Sequence, residues 1–335
     1  MKAGKIPNEL LKYLLDDLSV IPDARLELGP AIGEDSAILN INDQIVLVGS
    51  DPITFPTESP GWHSVIINSN DIAASGGIPK WYTATILMPE GSSTQEFTDI
   101  FKDIANTCAK MNIQLIGGHS EVTAGVRHPI ISGTMIGLAD RTDLKPTNNA
   151  QISDDILITK YCPIEGLNII LTQYPDIIVA AGLTPSEIAS ITTISSKTNM
   201  SIINEAKIVK TFEEVHSMHD PTEGGLATAL REMLSASCVG AIIDESSLPI
   251  PTSAQKLCRL IDIDPLGLVA SGSLLFTAAS QVSDEIILAL QSMSINCTKI
   301  GYTVPESEGV SIIQSDSGLK IPLPVFSTDE ITKLI

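Results

Sequence analysis

The sequence predicts a mixed α+β chain in two domains, on three observations. Its 335 residues suit two units at about 100–200 residues each. Both halves mix short β-like runs with segments of helical periodicity. A polar stretch at 140–155, DRTDLKPTNNAQISDD, separates the halves. The expected domains are therefore 1–150 and 151–335.

Taken in order, residues 7–18 read as an amphipathic helix, with Leu10, Leu11, Leu14, Leu15 and Leu18 on one side. Residues 36–39 and 44–48 read as strands joined by Asn42-Asp43, a pair suited to a tight hairpin turn. A helix over 60–75 is stopped by Gly76-Gly77. A strand at 81–87 follows, then a helix over 93–110 with Phe97, Ile100, Phe101, Ile104 and Cys108 at helical spacing. Strands at 113–116, ending in Gly117-Gly118, and at 129–138 complete the first half. The second half reads as a strand at 156–159 and helices near 164–173, 185–190 and 199–210. After HDPTEGG comes a long helix to about Ser237, then strands at 240–244 and 273–279, a helix at 283–292 and two short strands. No internal repeat or low-complexity tract stands out.

Composition excludes several classes of function. Hydrophobic residues make up 43% of the chain and aromatics 4%, so the core must be built from Ile, Leu, Val and Ala. Twenty Lys and Arg against 40 Asp and Glu leave a formal charge of −20. That balance argues against binding a nucleic-acid backbone or an anionic membrane. No apolar run is long enough to span a bilayer. The N-terminus carries charges where a signal peptide needs its apolar stretch, so a cytoplasmic location is expected. Cys108, Cys162, Cys238, Cys258 and Cys297 are scattered, with no CxxC, and read as reduced thiols.

The carboxylates carry the chemistry. A turn at Asn42-Asp43 brings Asp35 and Asp51 to the open end of the hairpin, facing each other. Opposed like charges there are unfavourable, and a divalent cation such as Mg²⁺ would relieve them; two solvated loop carboxylates are the alternative. On the 60–75 helix, Ser64, Asn68, Asp71 and Ser75 share one face, turned either to water or to a metal–phosphate site. Gly117-Gly118-His119 follows a strand; glycines there let a backbone approach a phosphate, and His119 either contacts that phosphate or caps the loop. In HDPTEGG, Asp220 is either a helix N-cap or a metal ligand, and the free N–H groups of the helix start suit an anion. An acidic site takes a phosphate only through a cation. No P-loop motif is present.

Six motifs in order, GPAIGEDSAI, VGSDPITF, INSNDIAASGGIPKW, LIGGHSEV, HDPTEGGLATAL and IDPLGLVASGSLL, resemble the aminoimidazole ribonucleotide synthetase superfamily. DPTEGGLATAL and DPLGLVASG are most similar to its HypE-like branch; selenophosphate synthetase and thiamine-monophosphate kinase are other branches. The resemblance spans nearly the whole chain. It implies a two-domain ATP-binding fold in which N-terminal domains form a β-barrel across a homodimer, with ATP near that interface. It implies Asp35, Asp51, Asp71 and Asp220 as Mg²⁺ ligands, and Gly33, Asn70, Gly117, Gly118 and His119 as cofactor-binding. Lys5, in GKIP, either reaches a phosphate from an N-terminal arm or is a solvated surface lysine.

The departures bear on the reaction. HypE acts on a cysteine at its extreme C-terminus, whereas this sequence ends DEITKLI and its last cysteine is Cys297. Ser271, in VASGSLL, stands where HypE-type sequences usually carry an acidic residue. The first cysteine, Cys108, lies too far along for selenophosphate synthetase chemistry. Three functions are expected in turn: an ATP- and Mg²⁺-dependent HypE-like enzyme acting on an oxygen of a small substrate; a non-catalytic nucleotide-binding paralogue with a maturation-protein partner; and a thiamine-monophosphate kinase-like enzyme.

Overall fold

The computed structural model describes residues 4–18 and 21–334. The first half runs α1 (Asn8–Asp16), β1 (Leu26–Leu28), β2 (Ala37–Ile41), β3 (Gln44–Gly49), β4 (Pro52–Ile53), α2 (Pro60–Ala74), β5 (Ile78–Met88), α3 (Thr94–Lys110), β6 (Gln114–Val122) and β7 (Ile130–Ala139). Its sheet has the order β1-β2-β3-β7-β5-β6, with β4 also on β7. The second half runs β8 (Asp154–Thr159), α4 (Glu165–Gln173), α5 (Pro175–Ala180), α6 (Pro185–Ile194), α7 (Ile203–Val209), β9 (Val215–His219), α8 (Gly225–Ala236), β10 (Val239–Asp244), α9 (Thr252–Leu260), β11 (Leu275–Ala279), α10 (Ser283–Ser292), β12 (Cys297–Pro305), β13 (Val310–Ile313) and β14 (Lys320–Pro322). Its sheet has the order β14-β13-β10-β12-β8-β11-β9. The chain is thus mixed α and β, with one sheet in each half.

The hairpin turns at Asn42 and Asp43, both at positive φ, as a two-residue turn matching strand twist requires. Its register pairs Ala37 with Val48 and Ile41 with Gln44. Extended past the strand ends, that register sets Ser50, not Asp51, opposite Asp35. Helix α3 begins with a capping box in which Ser93 and Glu96 bond each other's backbone N–H, and its Ile100, Ile104 and Cys108 pack under the first sheet.

Helix α2 joins the halves. Its Val65 and Ile72 pack under the first sheet, while Ala73 and Ala74 enter a second cluster with Leu157, Ala206 and Phe276. Buried from both sides, it has no solvated face. Ser64, Asn68, Asp71 and Ser75 are all buried, so the solvent reading of that face does not hold. Three of them take internal partners: Tyr82 OH donates to Ser64 Oγ, Asn68 grips the Asp51 backbone, and Ser36 Oγ donates to Ser75 Oγ.

Other expectations need correction. The strand expected to stop at residue 116 continues as β6 through both glycines to Val122, in parallel register with β5. The polar stretch at 140–155 is packed rather than a free linker: Lys145, Thr147 and Ala150 are buried, and Lys145 Nζ donates to Phe212 O. Helix α1 buries none of its residues; Leu10, Leu14 and Leu18 remain exposed. Polar contacts hold its start instead, with Lys5 N donating to Glu223 Oε1 and Asn8 Nδ2 to Glu232 Oε1. Strands β1, β4 and β9 and helices α5 and α9 were not expected, three strands rather than two follow α10, and the segment expected as one helix over 199–210 is helical as α7 from Ile203. No described helix is long and apolar enough to cross a membrane.

Candidate functional site

The acidic residues converge in a cleft between the halves. Asp35 comes from the turn before β2, Asp51 from the β3–β4 link, Asp71 from α2, and His219 and Asp220 from the end of β9. Gly33, Glu34, Lys5 and Glu232 complete the same cleft. Two features hold Asp51 in place. Asn68 Oδ1 accepts from Asp51 N at 2.9 Å, and Asn68 Nδ2 donates to Asp51 O at 3.0 Å. Gly49 permits the approach of the hairpin to α2: a Cβ there would lie 3.1 Å from Asp35 O and 3.2 Å from Asp71 Cβ. Gly33 sits at φ +81°, and a Cβ there would press on Glu232 at 3.0 Å.

Ligand atoms of Asp35, His219 and Asp220 lie within 4.8 Å of one another. His219 Nδ1 is 2.7 Å from Asp35 Oδ1 and Nε2 is 3.4 Å from Glu232 Oε2, as ion-pair contacts off the hydrogen-bonding line. Six acids line the cleft, Glu34, Asp35, Asp51, Asp71, Asp220 and Glu232, against Lys5 and His219. The electrostatic consequences follow. Burial raises the Asp51 carboxyl to about 6, with Lys5 opposing and Glu165, Glu223 and Asp35 adding to it. Burial, then the charges of Asp220, Asp51 and Asp35, pushes Asp71 well above the carboxylate range; burial and then Asp35 do the same to Asp220. Burial works against the imidazolium of His219, yet Asp35 and Glu232 outweigh it and raise its pKa to about 10. Burial would raise Glu232, yet His219 and Lys5 hold it at about 2.

Both oxygens of Asp220 and Oδ2 of Asp35 are buried without a hydrogen-bond partner. Orphaned carboxylate oxygens that repel one another fit a hard divalent cation, for which oxygen donors are the natural ligands. The N-cap reading of Asp220 fails: the cap of α8 is Gly224, and Asp220 directly follows His219, the last residue of β9.

The anion at the start of α8 comes from the chain itself. Asp329 Oδ2 accepts from Gly224 N at 2.6 Å, and its Oδ1 accepts from Ile331 N and Val269 N. Neither Asp329 nor Glu232 was singled out from sequence: Asp329 stands more than a hundred positions from Gly224, and Glu232, on the helix that HDPTEGG opens, reads as an ordinary helix acid. His219 was visible only as part of HDPTEGG.

Four other expected site residues lie elsewhere. Asn70 is fully buried, with Nδ2 donating to Met200 O at 2.9 Å and Oδ1 accepting from Ile202 N at 3.0 Å. Its amide therefore clamps α2 to the second half. Gly117, Gly118 and His119 lie on the exposed β6 edge, and no β6 residue lines the acidic cleft. Gly118, at φ +150°, is needed for close strand approach: a Cβ there would lie 2.1 Å from Ala84 O. His119 pairs with Glu121 at 3.2 Å. Lys5, by contrast, stands half-exposed at the cleft mouth, with Nζ 3.3 Å from Thr222 Oγ1 and 3.8 Å from Glu232 Oε1. Burial lowers its pKa, but Glu232, Asp51, Glu223 and Asp35 together raise it further.

Among the described residues no cysteine lines the cleft. Cys108, Cys162, Cys258 and Cys297 are buried, and burial pushes their thiols up to about 11 or 12. Cys238 is exposed, beyond the far end of α8.

Comparison with known proteins agrees with this architecture. The AIR synthase related N-terminal domain matches residues 33–139, and the AIR synthase related C-terminal domain matches residues 183–314. The chain is 28% identical over 328 residues to a putative hydrogenase expression/formation protein of Methanocaldococcus jannaschii, covering 95% of this chain and 93% of that one. It is 25% identical to the carbamoyl dehydratase HypE of Cupriavidus necator, covering 81% and 78% of the two chains. It is also 25% identical to the thiamine-monophosphate kinase of Pyrococcus horikoshii, covering 88% and 89%. Among solved structures, a HypE–HypF complex superposes with a TM-score of 0.76 at 21% identity, covering 95% and 99% of the two chains. HypE in complex with ATP superposes at 0.71 and 20% identity, covering 96% of each. The chain belongs to the AIR synthase related proteins and fits their HypE-like branch.

Proposed function

We propose that this chain is an ATP- and Mg²⁺-dependent HypE-like enzyme that activates an oxygen of a small substrate by phosphoryl transfer. The relatives support the coarser part, an ATP-dependent enzyme of HypE-like or thiamine-monophosphate kinase-like type. The convergence of Asp35, Asp51, Asp71 and Asp220 in one interdomain cleft carries the finer part. These four would hold Mg²⁺, which, when bound, would neutralise phosphate charge in a site that otherwise repels it. His219 and Glu232 fix Asp35 from behind. Lys5 presents an ammonium at the mouth, and Gly33 keeps the floor clear of side chains. Residues 1–150 would supply most of this site, and 151–335 would supply Asp220 and its supports. Titration with a non-hydrolysable ATP analogue, with and without Mg²⁺, tests the reading.

A pH dependence follows from the raised carboxyls. Asp51, Asp71 and Asp220 hold protons to higher pH in the folded chain than unfolded carboxyls do, near about 4. The folded state therefore binds more protons, and this cluster makes the metal-free chain less stable as pH rises from about 4 through about 6. Mg²⁺ competes with those protons. Its rise in Tm should therefore grow between about pH 5 and about pH 8, as thermal melts with and without MgCl₂ would show. A rise independent of pH would place the cation elsewhere.

We further infer a homodimer. The β6 edge is open, with Ile116 and Val122 exposed, and such an edge calls for a partner strand. Pairing of two copies there, closing a shared barrel, would place Gly117, Gly118 and His119 at the interface. Light scattering at micromolar concentration should give twice the 35.6 kDa chain mass; a monomer would count against the barrel. A maturation protein is the proposed partner class. The lack of a described cysteine in the cleft favours a second reading, a nucleotide-binding paralogue without turnover, which ADP release separates from the first.

A further inference from the structure

A second pocket adjoins the acidic cleft and shares Lys5, Asp51 and Thr222 with it. Its wall mixes apolar Ile53, Phe55, Ile67, Ile169 and Val269 with polar side chains, Thr54, Thr57 and Glu223 among them. Into it project two buried titratable groups from opposite halves, His63 of α2 and Glu165 of α4, with His63 Nε2 2.8 Å from Glu165 Oε1 as an ion-pair contact off the hydrogen-bonding line. Ser271 lines the same pocket; burial works against the Glu165 carboxylate, yet His63 and then Ser271 hold its pKa below the usual range. The other imidazole nitrogen, Nδ1, has only a long contact to Thr57 Oγ1 at 3.4 Å. A purely structural pair gains little from standing in a pocket wall beside the phosphate cleft, whereas a base for an incoming nucleophile must stand there.

We infer that this pocket is the subsite of the phosphoryl acceptor, and that His63 takes the acceptor's proton while Glu165 holds the ring. The inference rests on the ATP reading above. The acids in its wall, Asp51, Glu165 and Glu223, favour a small uncharged acceptor carrying an O–H group over an anionic one. In the step, the acceptor oxygen forms a bond to the γ-phosphorus as the bond from that phosphorus to the bridging oxygen breaks. The electron pair leaves with ADP, and the acceptor proton passes to His63 Nδ1. The Glu165 carboxylate, 2.8 Å from Nε2, stabilises the imidazolium by its charge. His63 is then a catalytic residue and Glu165 a positioning residue.

Water serves as the probe acceptor, read as ADP release from ATP and Mg²⁺. His63→Gly should lower kcat by on the order of 10²-fold, the scale of a lost general base, and leave the affinity for the non-hydrolysable analogue within twofold. Added imidazole should restore turnover in His63→Gly, an effect that a structural role for His63 would not produce. Glu165→Gln should lower kcat without imidazole rescue. If His63→Gly does not fold, as judged by its thermal transition, His63→Gln provides the comparison and should lose turnover. Turnover unchanged in His63→Gln, or a folded His63→Gly without imidazole rescue, overturns this inference and leaves the ATP reading standing. Failure of the wild-type chain to bind the analogue, or to release ADP, removes the catalytic reading on which the inference rests.

Discussion

Asp220→Asn is expected to stabilise the metal-free chain and to abolish its response to Mg²⁺. The two effects have one cause. Asp220 is 1% exposed and neither carboxylate oxygen has a hydrogen-bond partner. Burial and the charge of Asp35 disfavour its ionised form. Asparagine keeps the shape and removes the charge. At neutral pH the gain should be on the order of 2 kcal/mol, limited because the new amide remains a buried polar group. The same change deletes an anionic metal ligand, so ATP-analogue binding should no longer depend on Mg²⁺. Denaturant titration and calorimetry read the two effects separately. A variant that is less stable without metal would mean that Asp220 is held by partners other than a cation.

The second large effect is expected at Asn70. One amide satisfies both Met200 O and Ile202 N across the interdomain contact. Asn70→Ala leaves that carbonyl and that N–H buried and unpaired. The cost should be about 2–4 kcal/mol in denaturant unfolding, since each buried unsatisfied group costs about 1–3 kcal/mol. The next residue is Asp71, whose cleft also depends on Asp220 from the other half. Affinity for nucleotide and Mg²⁺ should therefore fall as well. Unchanged stability would mean that water replaces the amide and the clamp is dispensable.

These residues show why the sequence discloses some of the molecule and hides the rest. The hairpin was legible because Asn42-Asp43 is local turn chemistry, and that turn fixes where Asp35 and Asp51 end up to within one residue. Helix α2 was legible in extent, from Pro60 to the glycines after it, but not in its environment. Its polar face resembles a solvated one, and only the packing of both halves shows that Asn68 holds Asp51 while Asn70 holds residues 200–202. Gly117-Gly118 read as the end of a strand because glycine usually interrupts one. Here Gly118 lets the parallel neighbour come close and the strand continues. The start of α8 was correctly legible as an anion site by its free N–H groups, but the anion is Asp329, more than a hundred positions along the chain. Long-range partners of this kind leave no periodicity or spacing to read.

The cleft is expected to hold phosphate through a cation. Calorimetric titration with a non-hydrolysable ATP analogue, with and without Mg²⁺, tests it most directly. Binding is expected with Mg²⁺ present and none without it, because six acids line the cleft against Lys5 and His219. Equal binding in both conditions, or none in either, would contradict it.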